Sequence, residues 1–233
     1  MTTTQDTAVA VAASAPATPV DPQLQARITT VGLAATLHER TGAYRARLIT
    51  HLSDPMAADS RAGYAGWLRR QANAWAQLSL PAVPVASLDW PLASVRPQCL
   101  DVVGLLMADL RELNPGRRTL PLSRNGSQPG RHGSADPGVC VAAAQLCVGV
   151  AELSAGLLAP ARALSAGVTA AGDATRYLSR CVALADRGPG LDRELDTWGA
   201  TADPAQRQLA VLSAELFALR LAEAFDAASR TGW

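Results

Sequence analysis

The chain has 233 residues, a net charge of +1, 48% hydrophobic and 18% charged residues. That length suits one well-buried core, and the composition excludes a largely disordered chain. A near-neutral balance leaves no general polyanion-binding footprint, so nucleic acid is not an expected partner. All 21 basic residues are arginine, the side chain that grips carboxylates and phosphates in a planar, two-pronged way.

Residues 1–20 read as a disordered tail: they hold no basic residue, contain Asp6, and their apolar run is broken by Ser14 and Pro16. Asp21-Pro22 then presents a capping carboxylate followed by proline at the first helical position, and a helical rhythm continues to about Arg40, carrying His38. Gly42 is expected to interrupt that helix, with a second one through AYRARLITHL closed by Asp54-Pro55. Asp59-Ser60 opens a third, with Tyr64, Trp67, Leu68, Trp75 and Leu78 near helical spacing. Three prolines from Pro81 to Pro91 form a connector before CLDVVGLLMADLREL.

Residues 114–137 form a polar segment rich in Pro, Gly and Arg, longer than a simple connector and read as a flexible loop. Asp136-Pro137 repeats the cap-plus-proline start and opens the apolar run GVCVAAAQLCVGVAELSAGLLAPARAL. Shorter helices follow in GDATRYLSRCVAL and LDRELDTWG, and Asp203-Pro204 begins a long last helix. No segment alternates apolar and polar residues long enough for a sheet. The expected fold is all-α, a single-domain bundle of seven to eight helices spanning residues 21–230.

Cys99, Cys140, Cys147 and Cys181 lack metal-ligand spacing and read as buried thiols, which makes the cytoplasm the default compartment. No uninterrupted apolar stretch reaches the length of a bilayer span, so no membrane is expected. His132 falls in the polar loop, and His51 ends a helix where a cation complements the dipole. His38, on an apolar helix beside Leu37, is either a packed or capping residue or an axial ligand to a haem iron. The run Gly149, Ala151, Ser154, Ala155, Gly156 offers a face without bulk, suited to close helix packing or to a flat ligand lying against the backbone. Glu152 within it must be exposed, paired or bonded to water. A di-iron site would show Glu-x-x-His pairs, and none occurs.

AELSAG, Ala151 to Gly156, resembles the GDxSGG pattern of the haem oxygenase family, in which the distal helix bends over the haem. Leu37-His38-Glu39 resembles the segment carrying that family's iron-binding histidine. Tyr64 to Leu68 is similar to a YxxFL stretch, and ADLREL, Ala108 to Leu113, to a DLxxL ending. The order and approximate spacing agree from about residue 25 to residue 227. The resemblance implies a haem oxygenase-like bundle that cleaves haem to biliverdin, carbon monoxide and ferrous iron, fed by a separate reductase or ferredoxin as electron donor.

It also implies site roles. His38 would be the axial ligand, with Ala151, Ala155 and Gly156 against the haem face. Glu152 and Ser154 would be the catalytic residues beside bound oxygen, Glu152 by holding a proton-passing water. Arg193 would bind propionate, with Arg27, Arg176 and Arg180 as further candidates. Four positions depart from the pattern: Ala151 and Ala155 replace family glycines, Glu152 replaces an aspartate, and Ala34 replaces a threonine. The alternative implied by those departures is a non-catalytic haem-binding or protein-interaction module that keeps the fold.

Overall fold

A computed structural model of the chain describes residues 19–54, 59–78, 90–95, 101–114, 136–166 and 174–230. Among them the secondary structure is entirely helical: α1 (Pro22–Val31), α2 (Leu33–Leu52), α3 (Arg61–Ala76), α4 (Val102–Leu113), α5 (Pro137–Ser154), α6 (Leu158–Ser165), α7 (Arg176–Ala185), α8 (Gly188–Thr201) and α9 (Pro204–Arg230). A 3₁₀ turn, Ala155–Leu157, joins α5 to α6. Counted as one bent helix, α5–α6 brings the bundle to eight. Most of the expected tail, most of the 81–91 connector, most of the 114–137 segment and Cys99 lie outside the described residues.

The capping carboxylates act where the sequence puts them. Asp21 accepts from Gln23 N at 2.8 Å, Asp136 from Gly138 N at 2.8 Å and Asp203 from Ala205 N at 2.7 Å. Each satisfies a backbone donor that a helix start leaves without an intrahelical partner. Ser60 does the same for Gly63 N at 3.0 Å.

The expected break at Gly42 is absent: α2 runs straight through it, and a Cβ there would meet nothing within 4 Å. The helix breaks at Gly32 instead, where φ is +92°, a conformation that disfavours residues with a Cβ. Asp196 of α8 fixes this point by accepting Ala34 N at 2.9 Å, and a Cβ on Gly32 would lie 2.6 Å from its carboxylate oxygen. His38 consequently sits in the second turn of a 20-residue helix, rather than near the end of the first.

Helix α5 is the centre of the bundle, buried almost all round, and packs against α9, α7, α2 and α8. Small residues from Ala142 to Ala144 let its neighbours approach closely. By length and apolarity α5–α6 is the one helix among the described residues that could cross a membrane, and 61% of its apolar window is buried inside the fold.

A second part of the core is aromatic. Trp67 lies 6.0 Å from Tyr177 between ring centroids and donates its indole N–H to His51 O at 3.0 Å. Tyr64 donates its hydroxyl to Ala174 O at 2.9 Å. Asp109 of α4, fully buried, caps α7 from a neighbouring helix by accepting Arg176 N at 3.0 Å and Tyr177 N at 2.9 Å. Burial pushes the Asp109 carboxyl up to about 6 against the opposing effect of those two bonds.

Helix α8 is an acidic strut. Besides Asp196 on the start of α2, its Glu194 accepts Ala93 N at 3.0 Å, Ser94 N at 3.0 Å and the Ser94 hydroxyl at 2.8 Å. Its Asp192 faces His38.

Candidate functional site

His38 and Arg45 are two turns apart on α2 and so project from one face of it. Opposite them stand Glu152 of α5 and the first turns of α8. His38 Nε2 is 3.0 Å from Asp192 Oδ1, with both side chains nearly half exposed. Arg45 Nη2 donates to Glu152 Oε2 at 2.7 Å. This ion pair joins α2 directly to α5.

The glycines around the pair have specific neighbours. A Cβ on Gly149 would meet only the Arg45 guanidinium, at 3.7 Å, so the bare backbone lies under that side chain. A Cβ on Gly188, the first residue of α8, would stand 2.7 Å from Glu152 Oε1. No side chain caps α8 by hydrogen bonding. The Glu152 carboxylate therefore lies against an uncapped helix start, where the helix dipole favours negative charge. The lone carboxylate in an apolar helix is accounted for: it is paired with Arg45 and seated on α8.

The other residues singled out from the sequence do not converge there. Ala151 is buried in the core, as is Ser154, whose neighbour is the Tyr177 hydroxyl of α7. That hydroxyl also approaches Cys181 and Cys147, yet neither Ser154 Oγ nor Tyr177 OH reaches a partner in hydrogen-bonding geometry. Burial raises the Tyr177 hydroxyl well above its usual range and the Cys181 thiol to about 12, which makes Cys181 a poor nucleophile. Cys140, also buried, is raised to about 11. Ala155 is half-buried at the bend, and Gly156 is exposed, with nothing within 4 Å of an added Cβ.

The arginines proposed for propionates are engaged elsewhere. Arg193 donates to Pro189 O of its own helix at 3.4 Å, Arg27 pairs with Glu39 at 2.5 Å, and Arg176 pairs with Glu112. Arg180 is half-buried on α7.

These residues do not fit a haem held between α2 and α5. His38 Nε2 faces Asp192, and α5, which carries AELSAG, is tied to α2 by Arg45. Ser154 points to α7, and Gly156 lies on the outside. Among the described residues no group of three or more His, Cys, Asp or Glu side chains is arranged to hold a metal ion.

Sequence reasoning did not single out Arg45, Asp192 or Gly188. The i, i+7 relation of His38 and Arg45 was readable, but their partners lie 154 and 107 residues away. No family model, no curated protein and no solved structure matches the chain.

Proposed function

We propose that this bundle is a non-catalytic protein-interaction module with a haem oxygenase-like arrangement of helices. The observation that carries this reading is the direct Arg45–Glu152 link between the helix bearing His38 and the helix bearing AELSAG. It ties the two helices together two turns along α2 from His38. With Asp192 on the imidazole, both residues assigned to haem chemistry already have protein partners.

A second reading is favoured by one observation, the 3₁₀ turn at Ala155–Leu157 that interrupts the α5–α6 helix within AELSAG. A bend there is what the resemblance to haem oxygenases implies. In that reading the chain cleaves haem, which would require the Arg45–Glu152 and His38–Asp192 pairs to open first.

A haem titration followed by absorbance, on wild type beside His38→Ala, tests the two. The module reading expects no saturable band that depends on His38. A sharp Soret band in the wild type that is lost or displaced in the variant would overturn it. Bilin formation on adding reductant in air would establish the second reading.

A further inference from the structure

The longest helix, α9, carries four leucines outside the core. Leu209, Leu212, Leu216 and Leu219 follow the i, i+3, i+7, i+10 spacing of the a and d positions of a heptad. Leu212 and Leu216 are 43% and 49% exposed, and Leu209 and Leu219 are half-buried. None of the four belongs to the hydrophobic core or is packed against it. The opposite side of the same helix, with Ala210, Val211, Ala214, Ala218 and Leu221, is wholly buried. The helix is therefore apolar on two sides, one of them facing outward.

The flanking charges select what can cover that stripe. With Leu209 and Leu216 at a, Glu215 takes a g position and Arg220 the following e position. In a parallel pair of helices, g of one chain faces the next e of the other. Glu215 then opposes Arg220 of a second copy, and twofold symmetry makes the contact twice. Arg220 meets Glu223 only at 3.5 Å, with both side chains about half exposed or more, and can turn to a second copy; Glu215 is held at the edge of the stripe by Arg40 at 2.7 Å, so the cross-chain contact adds to that ion pair.

We infer that a second copy of this chain covers the stripe, α9 against α9 in parallel. The inference deepens the reading as an interaction module and rests on it. Two heptads are fewer than an isolated coiled coil needs. Here, however, α9 is already held as a helix by α5, α2 and α3, so pairing does not have to order it. The dimer is accordingly concentration-dependent.

Sedimentation velocity of the full chain over a concentration series tests this. The wild type should shift from monomer to dimer as concentration rises. Leu212→Glu/Leu216→Glu should remain monomeric with unchanged helical circular dichroism. Glu215→Arg or Arg220→Glu alone should weaken the dimer at least several-fold, and the double exchange should restore it. A wild type that stays monomeric, a dimer indifferent to the leucine changes, or failure of the double exchange to rescue would each overturn the proposal. So would a monomer that instead binds an added amphipathic helix through Leu212 and Leu216. Haem added to the same samples separates the two questions: a His38-dependent Soret band overturns the module reading alone, whereas monomers that bind no haem overturn the dimer alone.

Discussion

Glu152 of α5 and Arg45 of α2 form a 2.7 Å ion pair that places the carboxylate on the uncapped first turn of α8. Three helices thus meet at one charge. Both side chains are about one third exposed, so solvent screening reduces the pair to roughly 1 kcal/mol or less, with the α8 dipole adding a few tenths. Glu152→Ala should therefore destabilise by about 1 kcal/mol. A double-mutant cycle with Arg45→Ala in urea unfolding should return a coupling of the same sign; additive single effects would dismiss the pair as a tie between α2 and α5.

Gly32 and Gly42 make a matched test of the helix break. Gly32→Ala combines a positive φ with a 2.6 Å approach to Asp196, and should destabilise by more than about 1 kcal/mol. Gly42→Ala sits in open space within α2 and should stabilise by about 0.5–1 kcal/mol. Unfolding midpoints that moved the same way in both variants would contradict this placement of the break.

Asp109 gives stability a pH dependence of known sign. Its carboxyl titrates at about 6 in the fold, above the ordinary 3.8. The folded state then holds a proton that the unfolded chain has released, so this contribution is fully present below about pH 4 and is lost as pH rises to about 6. The span corresponds to a change on the order of 3 kcal/mol. Asp109→Asn should flatten the slope between those values in chemical denaturation. It also keeps only one acceptor oxygen for the two N–H groups at the start of α7, so it should cost less than Asp109→Ala, which leaves both N–H groups buried without that acceptor and should cost about 1–3 kcal/mol.

Asp226 acts in the opposite direction. Hydrogen bonds from Arg47 at 2.5 Å and His51 at 2.9 Å hold its carboxyl below the usual range. Its contribution is present above the ordinary carboxylate pKa and disappears as pH falls through the lowered value. Asp226→Asn should make the acid limb of the stability curve shallower below about pH 4 without changing the limb assigned to Asp109.

The helices were legible because their punctuation is local. Asp21-Pro22, Asp136-Pro137 and Asp203-Pro204 each put a capping carboxylate beside a residue already set for a helix. The break between α1 and α2 was not, since both glycines are compatible with a break and only a residue of α8 selects Gly32. The candidate site was legible in the same uneven way. That Glu152 needed a partner followed from its apolar surroundings, but Arg45 could not be named because nothing near Glu152 in the chain points to it. Ser154 looked like part of the same face; the helical rotation that separates it from Glu152 turns it toward Tyr177 instead.

The Asp196 contact at the beginning of α2 has a consequence for the order of synthesis. The carboxylate that secures the Ala34 amide follows it by 162 residues. As the chain emerges from the ribosome, α1 and α2 can coil, but the corner between them lacks its anchor until α8 is made. The corner between α1 and α2 therefore waits for α8 to fix its geometry.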